Sequence, residues 1–235
     1  METDRTLIVV PTYNERENVR PLIGRLLEVT PAADVILVDD NSPDGTAAVA
    51  ENGFGTNPRF SSVTRTGPRS YGRSVLDGCR IALEHGYARI VQMDADFSHD
   101  PEVVPLLIEA TRNADVVIGS RYCGGGEVAN WPWHRRLLSR FANSYVGWIT
   151  GLTVRDSTSG FRCYTRHALQ QILSARVTSE GYAFQVETIF RAHRAGLRIV
   201  EMPITFTDRR AGQSKMSGKV IFESVLKPWR LRFGR

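Results

Sequence analysis

Asp94-Ala95-Asp96 sets two carboxylates two residues apart, directly after the apolar run Ile90-Val91-Gln92-Met93. At the end of an extended strand, side chains two residues apart point the same way, so the pair can serve one cation. Magnesium-type sites use one or two protein carboxylates and complete the shell with water and substrate phosphates. A metal there would act as a Lewis acid and neutralise a diphosphate leaving group. On their own the three residues also fit a helix cap or a solvated loop. Their combination with other strand-end clusters favours the chemistry.

Asp39 and Asp40 end a second apolar run, where a carboxylate can accept hydrogen bonds from a nucleobase. Adjacent residues of a strand face opposite ways, so at most one of them does this directly. An Asx-turn followed by helix capping through Asn41, Ser42 and Asp44 is the structural alternative. Tyr13 is able to stack on a base or to be an ordinary surface aromatic. Arg121, Arg135, Arg136, Arg209, Arg210 and Lys215 form a later basic set, and guanidinium groups suit bidentate contact with phosphate oxygens. His99 reads as a loop histidine beside a helix cap and Glu187 as a solvent-facing helix glutamate, rather than as bases. The chain has no G-x-G-x-x-G after its first strand, no G-x-x-x-x-G-K-[ST] and no G-x-S-x-G, which weakens dinucleotide, P-loop and hydrolase readings.

The elements that must position these residues are short β-rich runs at 7–10, 35–38, 62–64, 90–93 and 116–118. They alternate with helices at 15–28, 45–52, 72–85 and 101–113, with Asn14, Asp44 and Asp100 as caps for three of them. Such alternation predicts an α/β fold with a mainly parallel central sheet flanked by helices. Right-handed crossovers would bring the loops after successive strands to one edge, where open α/β sheets bind ligands. Pro11-Thr12-Tyr13-Asn14-Glu15, Asp39-Asp40-Asn41-Ser42, Asp94-Ala95-Asp96 and Gly119-Ser120-Arg121-Tyr122 all follow runs of this kind. Beyond Tyr122 the pattern becomes irregular, with a Gly124-Gly125-Gly126 turn and helices near 135–150 and 182–195. No repeat or low-complexity linker divides the chain, so one domain over 1–235 is expected.

With 235 residues, 42% hydrophobic and 23% charged, the chain can bury a substantial core. Cys79, Cys123 and Cys163 lie far apart, which supports packing rather than a disulfide framework or a zinc site. The net charge of +5 favours an anionic partner, leaving phosphate, nucleic acid and acidic lipid open. No run approaches the roughly 18–20 apolar residues of a membrane span, and the first residues lack a signal pattern. A cytoplasmic protein, soluble or peripheral on a membrane, is expected.

Taken together, Val10-Pro11-Thr12-Tyr13-Asn14-Glu15, Val38-Asp39-Asp40-Asn41-Ser42, Met93-Asp94-Ala95-Asp96 and Gly119-Ser120-Arg121-Tyr122 resemble glycosyltransferase family 2. Asn130-Trp131-Pro132, Arg135-Arg136, Ser157-Thr158-Ser159-Gly160-Phe161-Arg162, Pro203-Ile204-Thr205-Phe206 and Ser214-Lys215 extend the resemblance to its polyprenol-phosphate branch, the dolichol-phosphate mannose synthase-like enzymes. The resemblance implies the nucleotide-diphospho-sugar transferase (GT-A type) fold and inverting transfer from GDP-mannose to a polyprenyl monophosphate. Residues 1–122 would form the nucleotide-sugar-binding half and 123–217 the acceptor side. Pro11, Tyr13, Glu15 and Asp40 would hold the nucleoside, with Asp94, Ala95 and Asp96 at the nucleotide sugar. Asp94 and Asp96, with Ser98 as a third candidate, would bind Mg²⁺ or Mn²⁺. Arg121, Arg135 and Ser139 would meet the acceptor phosphate, and Arg209 and Lys215 the donor diphosphate. Asp96, Arg121, Arg135 and Arg209 would be the catalytic set. UDP-glucose or another donor, and a non-catalytic nucleotide-binding or membrane-scaffold module, are the alternatives.

Chemistry agrees with the missing base. A phosphate monoester has a second pKa of about 6, so its oxygen attacks without proton removal. Three departures from the family pattern stand out: Ser98 where some relatives carry an amide, Tyr71 and Ser74 in Gly67–Ser74, and no C-terminal transmembrane helices before Arg235. Val220, Ile221, Phe222, Val225 and Leu226 recur at helical spacing opposite Lys219, Glu223 and Lys227, and Pro228-Trp229-Arg230-Leu231-Arg232-Phe233 follows. Residues 218–235 thus read as an interfacial tail, with core packing an alternative for its first part. The implied partners are a nucleotide-sugar donor, a polyprenyl phosphate lipid, the cytoplasmic face of a membrane and an optional small membrane protein, with no nucleic acid.

Overall fold

In the computed structural model, which describes residues 3–179, 181–208 and 218–234, the alternating runs become a seven-stranded sheet. The first half supplies β1 (Thr3–Thr12), α1 (Arg16–Val29), β2 (Ala33–Asp39), α2 (Thr46–Phe54), β3 (Phe60–Thr64), α3 (Tyr71–Glu84), β4 (Tyr87–Gln92), α4 (Val104–Ala110) and β5 (Val116–Ser120). Then come β6 (Glu127–Val128), α5 (Trp133–Thr150), β7 (Arg162–Thr165), α6 (Arg166–Ile172), α7 (Gly181–Arg194), β8 (Ile199–Pro203), β9 (Thr205–Phe206) and α8 (Gly218–Phe233). The predicted helix at 101–113 is a short α-helix flanked by two 3₁₀ turns.

The strand order is β3-β2-β1-β4-β7-β5-β8. β1, β2, β3 and β4 pair in parallel, as do β5 and β8, whereas β7 is antiparallel to both β4 and β5. Strands facing helices on both sides must be apolar on both sides, and they are. Ile8, Val10, Val35, Leu37, Val91 and Val117 join one core cluster with α1, α2 and α4, while Leu7, Val9, Ile36, Val38, Ile90 and Ile118 join another with α3, α6 and α7. α1 meets its side of the sheet through Val19, Leu22, Ile23 and Leu26, spaced for one helical face. Cys79 and Cys163 are packing residues, their thiols pushed up to about 12 by burial.

The chain leaves β1 toward β2 and β3 on one side, then returns to place β4 on the other. The crevice between the carboxyl ends of β1 and β4 is therefore the switch point at which such sheets bind ligands. The segment after Tyr122, expected to elaborate the acceptor side, also adds β7 and β8 to the main sheet. The chain's local pattern gave no sign of β7, because its insertion between β4 and β5 is a long-range pairing.

Candidate active site

The loops after β1 and β2 are built as one unit. Asn14 and Asn41 both have φ of 56°, the left-handed conformation that Asn tolerates better than most residues. Asn14 does not cap α1. The N-cap position falls to Glu15, which makes no side-chain cap bond, and the first helical amide, that of Arg16, donates to Asp44 Oδ2 at 3.2 Å. Asp44 also accepts from the Thr46 amide at 3.0 Å, so one carboxylate serves the starts of α1 and α2.

The two adjacent acids separate as strand alternation requires. Asp39 accepts from Thr12 Oγ1 at 2.8 Å and from the amide and hydroxyl of Ser42 at 2.8 and 2.6 Å, so it holds the turn. Asp40 faces the other way, pairing with Arg65 and accepting from the Ser70 amide at 2.6 Å. Pro11 is buried, Tyr13 and Glu15 are half-buried, and the Arg69 guanidinium lies 4.5 Å above the Tyr13 ring.

β4 ends at Gln92, so Asp94 and Asp96 sit in a turn containing Phe97 at φ 58°, beyond the extended strand that the spacing suggested. Asp94 is held at two points: its amide donates to His99 Nδ1 at 3.2 Å and its Oδ1 accepts from Tyr71 at 2.8 Å. Ala95 is buried, and Asp96 Oδ1 accepts from the Ser98 amide and hydroxyl at 3.1 and 2.6 Å. Ser98 is thus brought to the pair, with its hydroxyl directed at Asp96. His99, far from being an ordinary loop residue, is buried, stacked on Phe161 at 4.9 Å and edge-on to Phe206. Burial holds its pKa below the usual value despite the opposing charges of Asp94 and Asp96. Asp100 caps the following turn through the Glu102 amide, as predicted.

Arg121, immediately after β5, is buried against Asp156. Its Nε and one terminal nitrogen donate to the two carboxylate oxygens at 2.7 and 2.6 Å, and its amide adds a third bond at 3.0 Å. Burial alone would raise the Asp156 carboxyl, but the hydrogen bonds and charge of Arg121 outweigh it and hold the group below its ordinary range. Glu201 fixes this loop by accepting from the amides of Arg155 and Asp156.

Arg121 also donates to Thr158 Oγ1 at 2.7 Å, which accepts from Asn143 on α5 at 3.2 Å. Asn143, Ser139 and Arg135 follow at four-residue intervals on one helix face. The basic wall therefore runs from the buried floor to the rim. At the rim, Arg135 stacks 3.8 Å above Trp131 and reaches Asp208 at 3.3 Å. Asp208 follows Thr207, which bonds to the backbone carbonyls of Phe97 and Ser98. Two consecutive residues thereby tie the carboxylate turn to Arg135. Arg209, Arg210, Ser214 and Lys215 lie outside the described residues.

Asp156, His99 and Tyr71 are the contributors that sequence reasoning missed or left unassigned. Asp156 adjoins the motif 157–162, yet nothing local selects it over the chain's other acids as the partner of Arg121. Glu187 is not solvent-facing: it is buried, accepts from the Ser179 amide at 3.1 Å and pairs with Arg191 and with Lys227 of α8. Its work is to fasten α8 to α7.

Comparison with known proteins gives the family and the fold. Glycosyl transferase family 2 matches residues 7–173. Polyprenol monophosphomannose synthase of Mycolicibacterium smegmatis is 44% identical over 234 residues, 98% of this chain and 88% of that protein. Undecaprenyl-phosphate mannosyltransferase of Micrococcus luteus is 44% identical over 94% of this chain and 91% of its own length. Dolichol-phosphate mannosyltransferase of Pyrococcus furiosus is 35% identical over 95% of this chain, which spans 62% of that longer protein. Among solved structures, glucosyl-3-phosphoglycerate synthase of Mycobacterium tuberculosis, in complex with Mn²⁺, UDP-glucose and phosphoglyceric acid, aligns with a TM-score of 0.69 at 18% identity. That alignment covers 96% of this chain and 79% of the synthase, a likeness of fold.

Proposed function

The chain belongs to glycosyltransferase family 2 and is a glycosyltransferase of the GT-A type, and from that premise we propose that it transfers mannose from GDP-mannose, with inversion, to a polyprenyl monophosphate. One observation carries the reading: the Thr207–Asp208 pair joins the Asp94–Asp96 turn to the wall that runs from Arg121 to Arg135. A carboxylate pair beside a basic wall suits a reaction between two anions. The names of the 44% identical relatives point to the same acceptor class and sugar.

Asp94 and Asp96 fit Mg²⁺ or Mn²⁺ in chemistry: they offer hard carboxylate oxygens, and water and substrate phosphates would complete the shell. Such an ion, when bound, supplies charge neutralisation at the departing diphosphate. Ser98 orients Asp96 and is a candidate third ligand. Asp40 accepts from the base, Tyr13 stacks on it, and Pro11, Glu15 and Ala95 shape the donor side. Arg121, Ser139 and Arg135 hold the acceptor phosphate, already anionic near neutral pH, so positioning rather than proton removal is the task. Arg209 and Lys215 complete the diphosphate contacts in this reading, with Asp96, Arg121, Arg135 and Arg209 as the catalytic set. In this reading the single domain supplies most of the donor contacts from 1–122 and most of the acceptor side from 123–217, with Arg121, Arg209 and Lys215 crossing that division.

The reading extends to peripheral association with the cytoplasmic face of a membrane. Among the described residues no helix is long and apolar enough to cross one. On α5, however, Trp133 (75% exposed), Leu137, Phe141 and Trp148 (79% exposed) form a stripe beside Arg136 and Arg140. The expected tail adds Val225, Trp229 and Phe233 on α8, which packs on α5 through Tyr145, bonded to Val225 O and Trp229 Nε1. Aromatic and basic residues so combined suit an anionic lipid interface, and the extent of the α5 stripe exceeds what the tail alone suggested. The side chains of 219–223 lie outside the described residues.

Incubation with Mg²⁺ or Mn²⁺, a panel of nucleotide sugars and a short polyprenyl phosphate, followed by mass identification, tests the reaction. Lipid-linked mannose from GDP-mannose is the expected product. Transfer from UDP-glucose instead would overturn the donor, and no lipid-linked sugar from any donor would overturn the acceptor.

A further inference from the structure

Tyr71 is one of the departures from the family pattern, and its hydroxyl lies at the centre of a buried polar chain. It donates to Asp94 Oδ1 at 2.8 Å and accepts from Gln92 Nε2 at 3.0 Å and Gln185 Nε2 at 3.1 Å. A phenol has one proton and two lone pairs, so two accepted bonds leave the proton for Asp94. Behind Gln92, its Oε1 accepts from Tyr164 and the Tyr164 hydroxyl accepts from Arg162, both at 3.4 Å. Every donor in this chain therefore points from the guanidinium toward the carboxylate.

Arg162 is fully buried, and its shorter bonds go to neutral acceptors: the carbonyls of Gln185 and Ser157 and the hydroxyl of Thr188, at 2.8–2.9 Å. Hydrogen bonds aligned in this way polarise one another in a low-dielectric interior, and the negative end lies at Asp94. Close packing guards the arrangement: a Cβ on Gly160 would stand 2.9 Å from the Tyr71 hydroxyl and 3.5 Å from Asp94 Oδ1.

We propose that Tyr71 is a positioning residue for Asp94, the last donor of a buried hydrogen-bond chain that sets the carboxylate's orientation before cation and nucleotide bind. The proposal rests on the reading of Asp94 as a cation ligand. With His99 fixing the backbone and Tyr71 fixing one oxygen, Asp94 gives up little rotational freedom on binding, as a ligand supported by outer partners should.

Titration of Mn²⁺ in the presence of GDP, read by the electron paramagnetic resonance of free Mn²⁺, tests this on the full chain. Tyr71→Phe keeps the edge contact with Phe184 but removes the donor, and should weaken Mn²⁺ binding by about 10-fold or more. GDP affinity without the cation should stay within about twofold, whereas a general structural loss would weaken both. Mn²⁺ affinity in Tyr71→Phe within about twofold of wild type overturns the role of Tyr71. A wild-type protein that binds no Mn²⁺ with GDP overturns the cation reading itself, and the role of Tyr71 with it. Should Tyr71→Phe not fold, Gln185→Ala decides: freeing one lone pair of the hydroxyl should cost about fivefold in Mn²⁺ affinity, and wild-type affinity overturns the proposal.

Discussion

Arg121 and Arg135 stand at the two ends of one wall, and the protein holds them in opposite ways. Arg121, on the floor, is 6% exposed and locked to a fully buried Asp156 by a two-pronged ion pair. Arg135, on the rim, is 36% exposed, stacks on Trp131 and meets Asp208 only at 3.3 Å. A buried guanidinium needs its carboxylate, because either charge left alone inside costs several kcal/mol. An exposed one is already hydrated, so exchanging Asp208 for a phosphate costs little. In the proposed reaction both would meet the acceptor phosphate, Arg121 with much of its charge already compensated by Asp156 and Arg135 with a partner that it can exchange for an incoming anion.

Breaking the floor pair should have the largest effect. Asp156→Asn strands the Arg121 guanidinium, and urea unfolding should report a loss of about 3–5 kcal/mol. The same pair gives a pH signature. Because the folded Asp156 carboxyl lies below its ordinary range, its contribution is complete above that range and disappears as pH falls through the folded value. The stability gap between wild type and Asp156→Asn should therefore narrow as acid unfolding is followed downward; a gap that widens contradicts the assignment.

At the rim the pattern should invert. Arg135→Ala should change stability by less than about 1 kcal/mol, as for other exposed pairs. Its kcat/KM for a polyprenyl phosphate should nevertheless fall roughly 10- to 100-fold, the equivalent of one hydrogen bond to a charged group. Unchanged acceptor kinetics would remove Arg135 from the phosphate site.

Beside the rim, replacing Phe141 and Trp148 together by Ser should weaken binding to anionic liposomes, read by flotation, about 100-fold or more, since burying each aromatic contributes ~1.5–3 kcal/mol, and the melting temperature should hold. Equal flotation would exclude this stripe as the lipid contact. The smallest effect is expected at Asp208→Asn. Freed from its carboxylate, Arg135 should bind the acceptor about twofold better, with stability shifted by no more than about 0.5 kcal/mol. A weaker acceptor interaction would mean that Asp208 orients Arg135 rather than competing for it.

The four clusters at strand ends were legible in the chain because each depends on what lies next to it. Apolar runs mark β1, β2, β4 and β5, and the polar residues that follow must fall at the same sheet edge. Strand alternation even anticipated that Asp39 and Asp40 would part company, though not which would serve the turn. Cap assignment was less successful at Asn14, where the left-handed turn moves the helix start by one residue and Asp44 takes over from another loop.

Sequence by itself determined the family, the parallel α/β frame and the carboxylate pair that follows β4, since local periodicity and contiguous motifs carry that information. Only the tertiary structure decided what each charged group faces. It inserted β7 antiparallel into the sheet, paired Arg121 with an acid 35 residues away, buried Glu187 under α8 and turned Tyr71 from a departure into a hydrogen-bond donor for Asp94. The reason is physical. A carboxylate or hydroxyl looks alike wherever it occurs in the chain, and its role is set by burial and by partners that only long-range packing brings within 3 Å.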